Sequence, residues 1–129
     1  MPKIKQTAVT KDILINQGAD FRMQVRLCTG TKNKYVPIDI TGYIFECKIR
    51  ESADSDEVLG EAKCHIIDAE HGLMEIFFDD SVTGQLPTDG TTYDETEQYV
   101  WDLYATVPEG DTIRILNGYC YVSPGVSYD

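Results

Sequence analysis

A chain of 129 residues, 42% hydrophobic and with eight tyrosines, is the size of one domain and too apolar to be disordered throughout. No apolar run approaches the roughly 18 residues needed to cross a bilayer. Met1-Pro2-Lys3-Ile4-Lys5-Gln6-Thr7 lacks the apolar stretch of a secretory leader. The expectation is a soluble protein made in a cytoplasm, with no membrane partner. A net charge of −11 argues against gripping nucleic acid through its phosphates.

The charge is unevenly spread. Residues 1–50 hold nine Lys/Arg against four Asp/Glu, whereas residues 51–129 hold two against eighteen. That asymmetry suits head-to-tail contact between copies, basic surface on acidic surface.

Residues 1–10 read as an N-terminal arm, with Lys3, Ile4 and Lys5 as candidate interface residues that order on assembly. Residues 11–129 read as one β-sandwich domain. A short strand is expected over 12–16. In Phe21-Arg22-Met23-Gln24-Val25-Arg26-Leu27 every odd position is apolar and every even one polar, the pattern of a half-buried strand. Phe45, Cys47 and Ile49 alternate with Glu46, Lys48 and Arg50 in the next, and Ala62, Cys64 and Ile66 with Lys63 and His65 in a third. Met74, Ile76 and Phe78 then face one way and Glu75 the other. Residues 79–85 form the best helical scrap, a single turn before Leu86-Pro87. Trp101, Leu103, Ala105 and Val107 point inward from a further strand.

The last strand covers 112–123. Asn117-Gly118 inside it is a hairpin signal, but Pro108-Glu109-Gly110-Asp111 already supplies a turn just upstream. One continuous strand is therefore expected, Gly118 marking a bulge or a close backbone approach. Period two puts Leu116, Cys120 and Val122 on one face and Ile113, Ile115, Tyr119 and Tyr121 on the other. With Tyr104, the tyrosines Tyr119 and Tyr121 form a candidate interface, since tyrosine gives large contact area at low entropic cost. Ordinary cross-strand aromatic pairing would place them equally well.

Asn16-Gln17-Gly18, Thr29-Gly30 and Ala69-Glu70-His71-Gly72 supply turn chemistry between the strands. The fold class expected is all-β: an antiparallel sandwich, immunoglobulin-like or jelly-roll-like, of about seven or eight strands with at most one short helical turn.

Catalytic signatures are missing from the sequence. There is no nucleophile elbow, P-loop or dinucleotide fingerprint. The four cysteines, at 28, 47, 64 and 120, form no C-x-x-C pair and read as free buried thiols. His65 reads as a solvent-facing strand residue and His71 as part of a turn. Two acidic loops, with Asp54, Asp56 and Glu57 and with Asp89, Asp94, Glu95 and Glu97, offer oxygen ligands, yet neither has EF-hand spacing. No metal or other cofactor is expected, calcium at these loops being the alternative, and the chain is not expected to be an enzyme.

Four phrases carry a family resemblance. They are Ile15-Asn16-Gln17-Gly18-Ala19-Asp20-Phe21, Val36-Pro37-Ile38-Asp39-Ile40-Thr41-Gly42-Tyr43, Ser81-Val82-Thr83-Gly84-Gln85-Leu86-Pro87, and the closing Arg114-Ile115-Leu116-Asn117-Gly118-Tyr119-Cys120-Tyr121-Val122-Ser123-Pro124-Gly125-Val126. In order and spacing the chain resembles small β-sandwich structural proteins of tailed bacteriophages, such as the N-terminal domain of baseplate upper proteins. The resemblance covers residues 12–126. It implies an unbroken last strand, no catalysis, and a virion location with other virion proteins and copies of itself as partners. The implied role is a tail, baseplate or fibre-attachment adaptor. Baseplate upper proteins continue into long C-terminal regions, and the 89–98 loop is more acidic than theirs. A head decoration or collar protein is therefore the alternative station. A carbohydrate-binding module is the alternative from another class; it needs an exposed aromatic platform, whereas the periodicity points Trp101 inward.

Overall fold

Alternating apolar and polar residues carry this chain back and forth between two facing sheets, and in the computed structural model residues 8–30 and 34–127 are described. The arm residues Lys3, Ile4 and Lys5 lie outside them. In chain order the strands are β1 (Val9–Thr10), β2 (Ile13–Asn16), β3 (Phe21–Arg26), β4 (Cys28–Thr29), β5 (Val36–Pro37) and β6 (Ile44–Arg50), followed by β7 (Gly60–Glu61), β8 (Lys63–Asp68), β9 (Leu73–Phe78), β10 (Glu97–Thr106) and β11 (Thr112–Ser123). Among the described residues seven of these exceed two residues, and the other four are short bridges.

The larger sheet runs β1-β11-β10-β6-β7, with β2 also on β11; the smaller runs β3-β9-β8; β4 and β5 pair separately. Numbering the seven longer strands A to G, the sheets are A-G-F-C and B-E-D, with A parallel to G. This is the connectivity of an immunoglobulin-type sandwich, so the protein is an all-β sandwich of that topology. Met74, Ile76 and Phe78 of the small sheet meet Cys47, Ile49, Leu103, Cys120 and Val122 of the large one, all fully buried.

The expected helical turn is α1 (Asp80–Thr83), where the Asp79 carboxylate accepts from the Val82 N–H at 3.1 Å. A second short turn, of 3-10 type, closes at Ala69–His71. It ends on Gly72, whose φ of 71° only glycine adopts freely. A Cβ there would also lie 2.5 Å from the Leu27 carbonyl oxygen.

Strand β11 is continuous through Gly118, as expected, and the glycine marks a close approach. The incoming chain pairs with β11 twice: Val9 and Thr10 opposite Leu116 and Asn117, then Ile13–Asn16 opposite Cys120 to Ser123. Val9 and Thr10, expected in the arm, are thus sheet residues. Between the two pairings Lys11 and Asp12 arch over Gly118. The Lys11 N–H donates to the Asn117 carbonyl at 2.9 Å, and the Lys11 carbonyl accepts the Trp101 indole N–H at 2.8 Å. An Asp12 carboxylate oxygen accepts the Tyr119 N–H at 2.9 Å. A Cβ on residue 118 would sit 2.2 Å from the Lys11 oxygen.

Two departures from simple alternation follow from pairing. Leu103 faces Leu116, but Tyr104 faces Arg114, so Ile115 is an extra residue in β11. Such a bulge resets which side the chain presents. Ile115 packs against the core, and Ile113, opposite the buried Ala105, turns the same way. The expectation that both share the face of Tyr119 and Tyr121 is therefore corrected. The second departure is at Ala62, read as the first residue of a strand with Cys64 and Ile66: its N–H donates to the Cys47 carbonyl of the large sheet at 2.9 Å. Gly60 and Glu61 pair with β6 of the large sheet, and Lys63 onward pairs with β9 of the small one. Ile66 ends at the rim of the sandwich, 39% exposed.

Candidate functional site

The outward face of the large sheet is built by the polar positions of three neighbouring strands. Tyr104 stands opposite Arg114 on one side and Glu46 on the other; Asp102 lies between Asn117 and Lys48; Val100 lies between Tyr119 and Arg50. Directly opposed residues share a face, so these nine side chains converge on one surface.

Tyr119 and Tyr121 touch, ring centroids 6.1 Å apart and planes inclined at 46°. Tyr119 is 45% exposed; Tyr104 and Tyr121 are half-buried. Tyr104 is not stacked with them. It lies four residues along β10 from Val100, the partner of Tyr119, a separation of roughly 13 Å at the strand rise. The three tyrosines share the face, as expected, but they form a pair and an outlier.

Between them is a hollow of about 420 Å³, with Tyr104 at one end and Tyr119 at the other. Its floor and walls carry Lys48, Arg50, Asp102, Arg114 and Asn117. The 51–57 loop overhangs it, held by the Arg50 guanidinium donating to the Ser55 carbonyl at 3.0 Å. Burial pushes the Asp102 carboxyl above the ordinary carboxylate range, and Arg114, Arg50 and Lys48 pull partly back. Among the described residues Arg114 has no carboxylate within 4 Å.

These charged residues were visible as the polar half of each strand. Their convergence needs the β6–β10–β11 register, which no single strand contains.

The acidic loops spend their carboxylates locally. Glu95 accepts from the Thr91 and Thr92 N–H groups at 2.9 and 3.1 Å and from the Thr91 hydroxyl, which hold its carboxyl below the usual range. Asp94 accepts the Thr92 hydroxyl, Asp54 accepts the Ser52 hydroxyl, and Glu97 accepts the Asp89 N–H. Among the described residues no three His, Cys, Asp or Glu side chains converge as metal ligands. Trp101 is 3% exposed, its indole bound to Lys11, so it offers no stacking platform.

No family model matches the chain, and no curated protein does. Two solved structures are similar in fold. One is murine CRIg, at 8% identity and a TM-score of 0.35, over 89% of this chain and 92% of that one. The other is a chain from a study of multimeric cell-adhesive interactions of VGSC beta subunits, at 7% identity and a TM-score of 0.35, over 97% of both.

The thiols and histidines are placed apart. Cys47 and Cys120 are fully buried, burial raising both thiol pKa values, that of Cys120 to about 12, whereas Cys28, expected to be buried, is exposed on the two-residue strand β4. His65 is exposed on β8, and His71 binds Asp68 at 2.9 Å in the turn before Gly72. A buried, protonated thiol is a poor nucleophile.

Proposed function

We propose that this chain is a non-enzymatic structural protein of a tailed-bacteriophage particle, an adaptor at the tail, baseplate or fibre base that docks through the outer face of its larger sheet. The observation that carries the docking role is that face: tyrosines at both ends of a hollow whose lining includes Lys48, Arg50 and Arg114 beside Asp12 and Asp102. Aromatic residues and arginine are enriched where proteins meet, and tyrosine and arginine dominate the energetics of such contacts. The particle assignment is supported by the four sequence phrases across residues 12–126.

The test is the location and stoichiometry of the chain in purified particles of the virus or induced prophage encoding it, by mass spectrometry and cryo-electron microscopy. Copies at the tail, baseplate or fibre bases with the Tyr104–Tyr119 face covered are expected. Copies spread over the head lattice would replace adaptor with decoration, and absence from particles would overturn the reading.

A further inference from the structure

The smaller sheet stops one strand short of covering its core. β3 is an end strand of that sheet, and among the described residues no strand pairs with the edge it turns away from β9. Phe21, Met23 and Val25 alternate toward the core and stay half-buried, whereas their partners on β9, Phe78, Ile76 and Met74, are fully buried. The Leu27 N–H donates across to the Gly72 carbonyl at 2.8 Å, continuing the β3–β9 register. By alternation the main-chain groups of Arg22, Gln24 and Arg26 then point to the open edge, where a further strand can add.

The other sheet edges are interrupted. β8 holds Ile67 as an extra residue between Ile66 and Asp68, β7 has two residues, and the Lys11–Asp12 arch separates β1 from β2. Bulges and short edge strands discourage strand addition. β3 instead pairs with β9 residue for residue over all six positions, so its free edge is a regular ladder.

The sequence of β3 complements itself. Two copies of one strand related by a twofold axis run antiparallel. Keeping the apolar side over the core requires odd residues opposite odd and even opposite even. With Met23 opposite Met23 of the second copy, Phe21 meets Val25, Arg22 meets Gln24 and Asp20 meets Arg26, each twice by symmetry. Slipping the register by two either way sets Arg22 against Arg22 or against Arg26, and like charges directly opposed destabilise a sheet. Arg22 is already occupied: it lies 3.7 Å over the Phe77 ring and bonds Glu75 at 2.9 Å. Among the described residues Arg26 and Asp20 make no ion pair. Asp20 gives one carboxylate oxygen to the Asp80 N–H at 2.8 Å.

We propose that two copies join β3 to β3 about a twofold axis at Met23, merging their three-stranded sheets into one, with Arg26 of each copy against Asp20 of the other. The contact uses the edge of the smaller sheet and leaves the outer face of the larger one open, so it stands independently of the adaptor reading.

Sedimentation velocity of the purified full-length chain over a concentration series tests this. A monomer–dimer equilibrium is expected, and hydrogen exchange should slow at the Arg22, Gln24 and Arg26 amides as the dimer forms. Gln24→Pro removes a donor at the centre of the edge, a place where an edge strand tolerates proline, and should leave a folded monomer. Arg26→Glu and Asp20→Lys each set like charges opposite one another twice, and each should weaken the dimer at least about tenfold. Circular dichroism establishes that the variants are folded; Arg26→Glu removes no hydrogen bond of the monomer, so it stands even where Asp20→Lys disturbs the Asp80 contact. Mixing these two charge variants is the decisive arm. Both cross-copy pairs then match again, so a heterodimer stronger than either homodimer is expected. A wild type monomeric at millimolar concentration, a Gln24→Pro chain that dimerises like the wild type, or protection on dimerisation confined to other strands would each overturn the contact.

Discussion

Replacing Gly118 by alanine tests whether the arch of Lys11 and Asp12 over β11 holds the first strand in place. The new Cβ would lie 2.2 Å from the Lys11 oxygen, 2.7 Å from its carbonyl carbon and 2.9 Å from an Asp12 carboxylate oxygen. The arch must rise by about 1 Å to reach an ordinary carbon–oxygen contact. Three hydrogen bonds radiate from the residues that move: Lys11 N–H to Asn117, Trp101 indole to Lys11, and Tyr119 N–H to Asp12. Losing two neutral bonds costs about 1 kcal/mol each, and a buried indole N–H left without a partner adds about 1–3 kcal/mol. Against this, alanine gains roughly 0.5–1 kcal/mol over glycine in a strand. The net loss is about 3 kcal/mol. An unfolding entropy of about 2.1 cal/mol/K per residue then gives a fall in Tm of about 10 °C for this 129-residue chain. Differential scanning calorimetry measures it, and the fluorescence of Trp101, the only tryptophan, reports the indole environment directly. Gly60→Ala is the comparison, because its Cβ meets only side-chain methyls, Val82 Cγ1 at 3.0 Å the nearest, and these can give way. A Gly118→Ala fall of less than about 2 °C, with unchanged tryptophan emission, would refute the reasoning.

The remaining predictions concern titrating groups. Ellman's reagent is expected to modify one thiol rapidly in the native protein, Cys28, and four after denaturation. Cys28 is exposed, whereas Cys47 and Cys120 are buried and burial pushes Cys64 up to about 11; rapid reaction of two or more native thiols would contradict the packing. Asp102 has a raised folded-state pKa, so its ionisation opposes folding. Asp102→Asn should therefore raise the urea midpoint at pH 7, the gain shrinking as pH falls through and below the carboxylate range. A gain that persists unchanged under acid would show that charge is not the cause. Asp79 and Glu95 have lowered pKa values, from the Ser81 hydroxyl and Val82 N–H and from Thr91 and Thr92. Their support is full above the ordinary carboxylate range and is lost as pH falls through it. Carboxyl-carbon NMR titration should find both below model-peptide values; ordinary values would mean that the α1 cap and the loop brace do not form in solution.

How far the sequence reaches depends on whether a property lives within one strand or between strands. Phe45, Cys47 and Ile49, Met74, Ile76 and Phe78, and Trp101, Leu103 and Ala105 declare their inward faces by period two, because a strand's own pleat sets that alternation. Gly18, Gly72 and Gly110 likewise declare turns through their left-handed backbone. The sequence by itself thus determined an all-β sandwich, its strands and most of its core. Tertiary structure decided the rest. Ile113 and Ile115 change sides because β11 carries one residue more than β10 opposite it, and an extra residue is invisible until two strands are aligned. Ala62 is where the chain leaves one sheet for the other, a choice made by which neighbour offers an unpaired edge. Lys48, Arg50, Asp102 and Arg114 meet only through the register of three strands from opposite halves of the chain. That is why the tyrosines were legible as a face and the hollow between them was not: side-chain alternation is local, and pairing register is not.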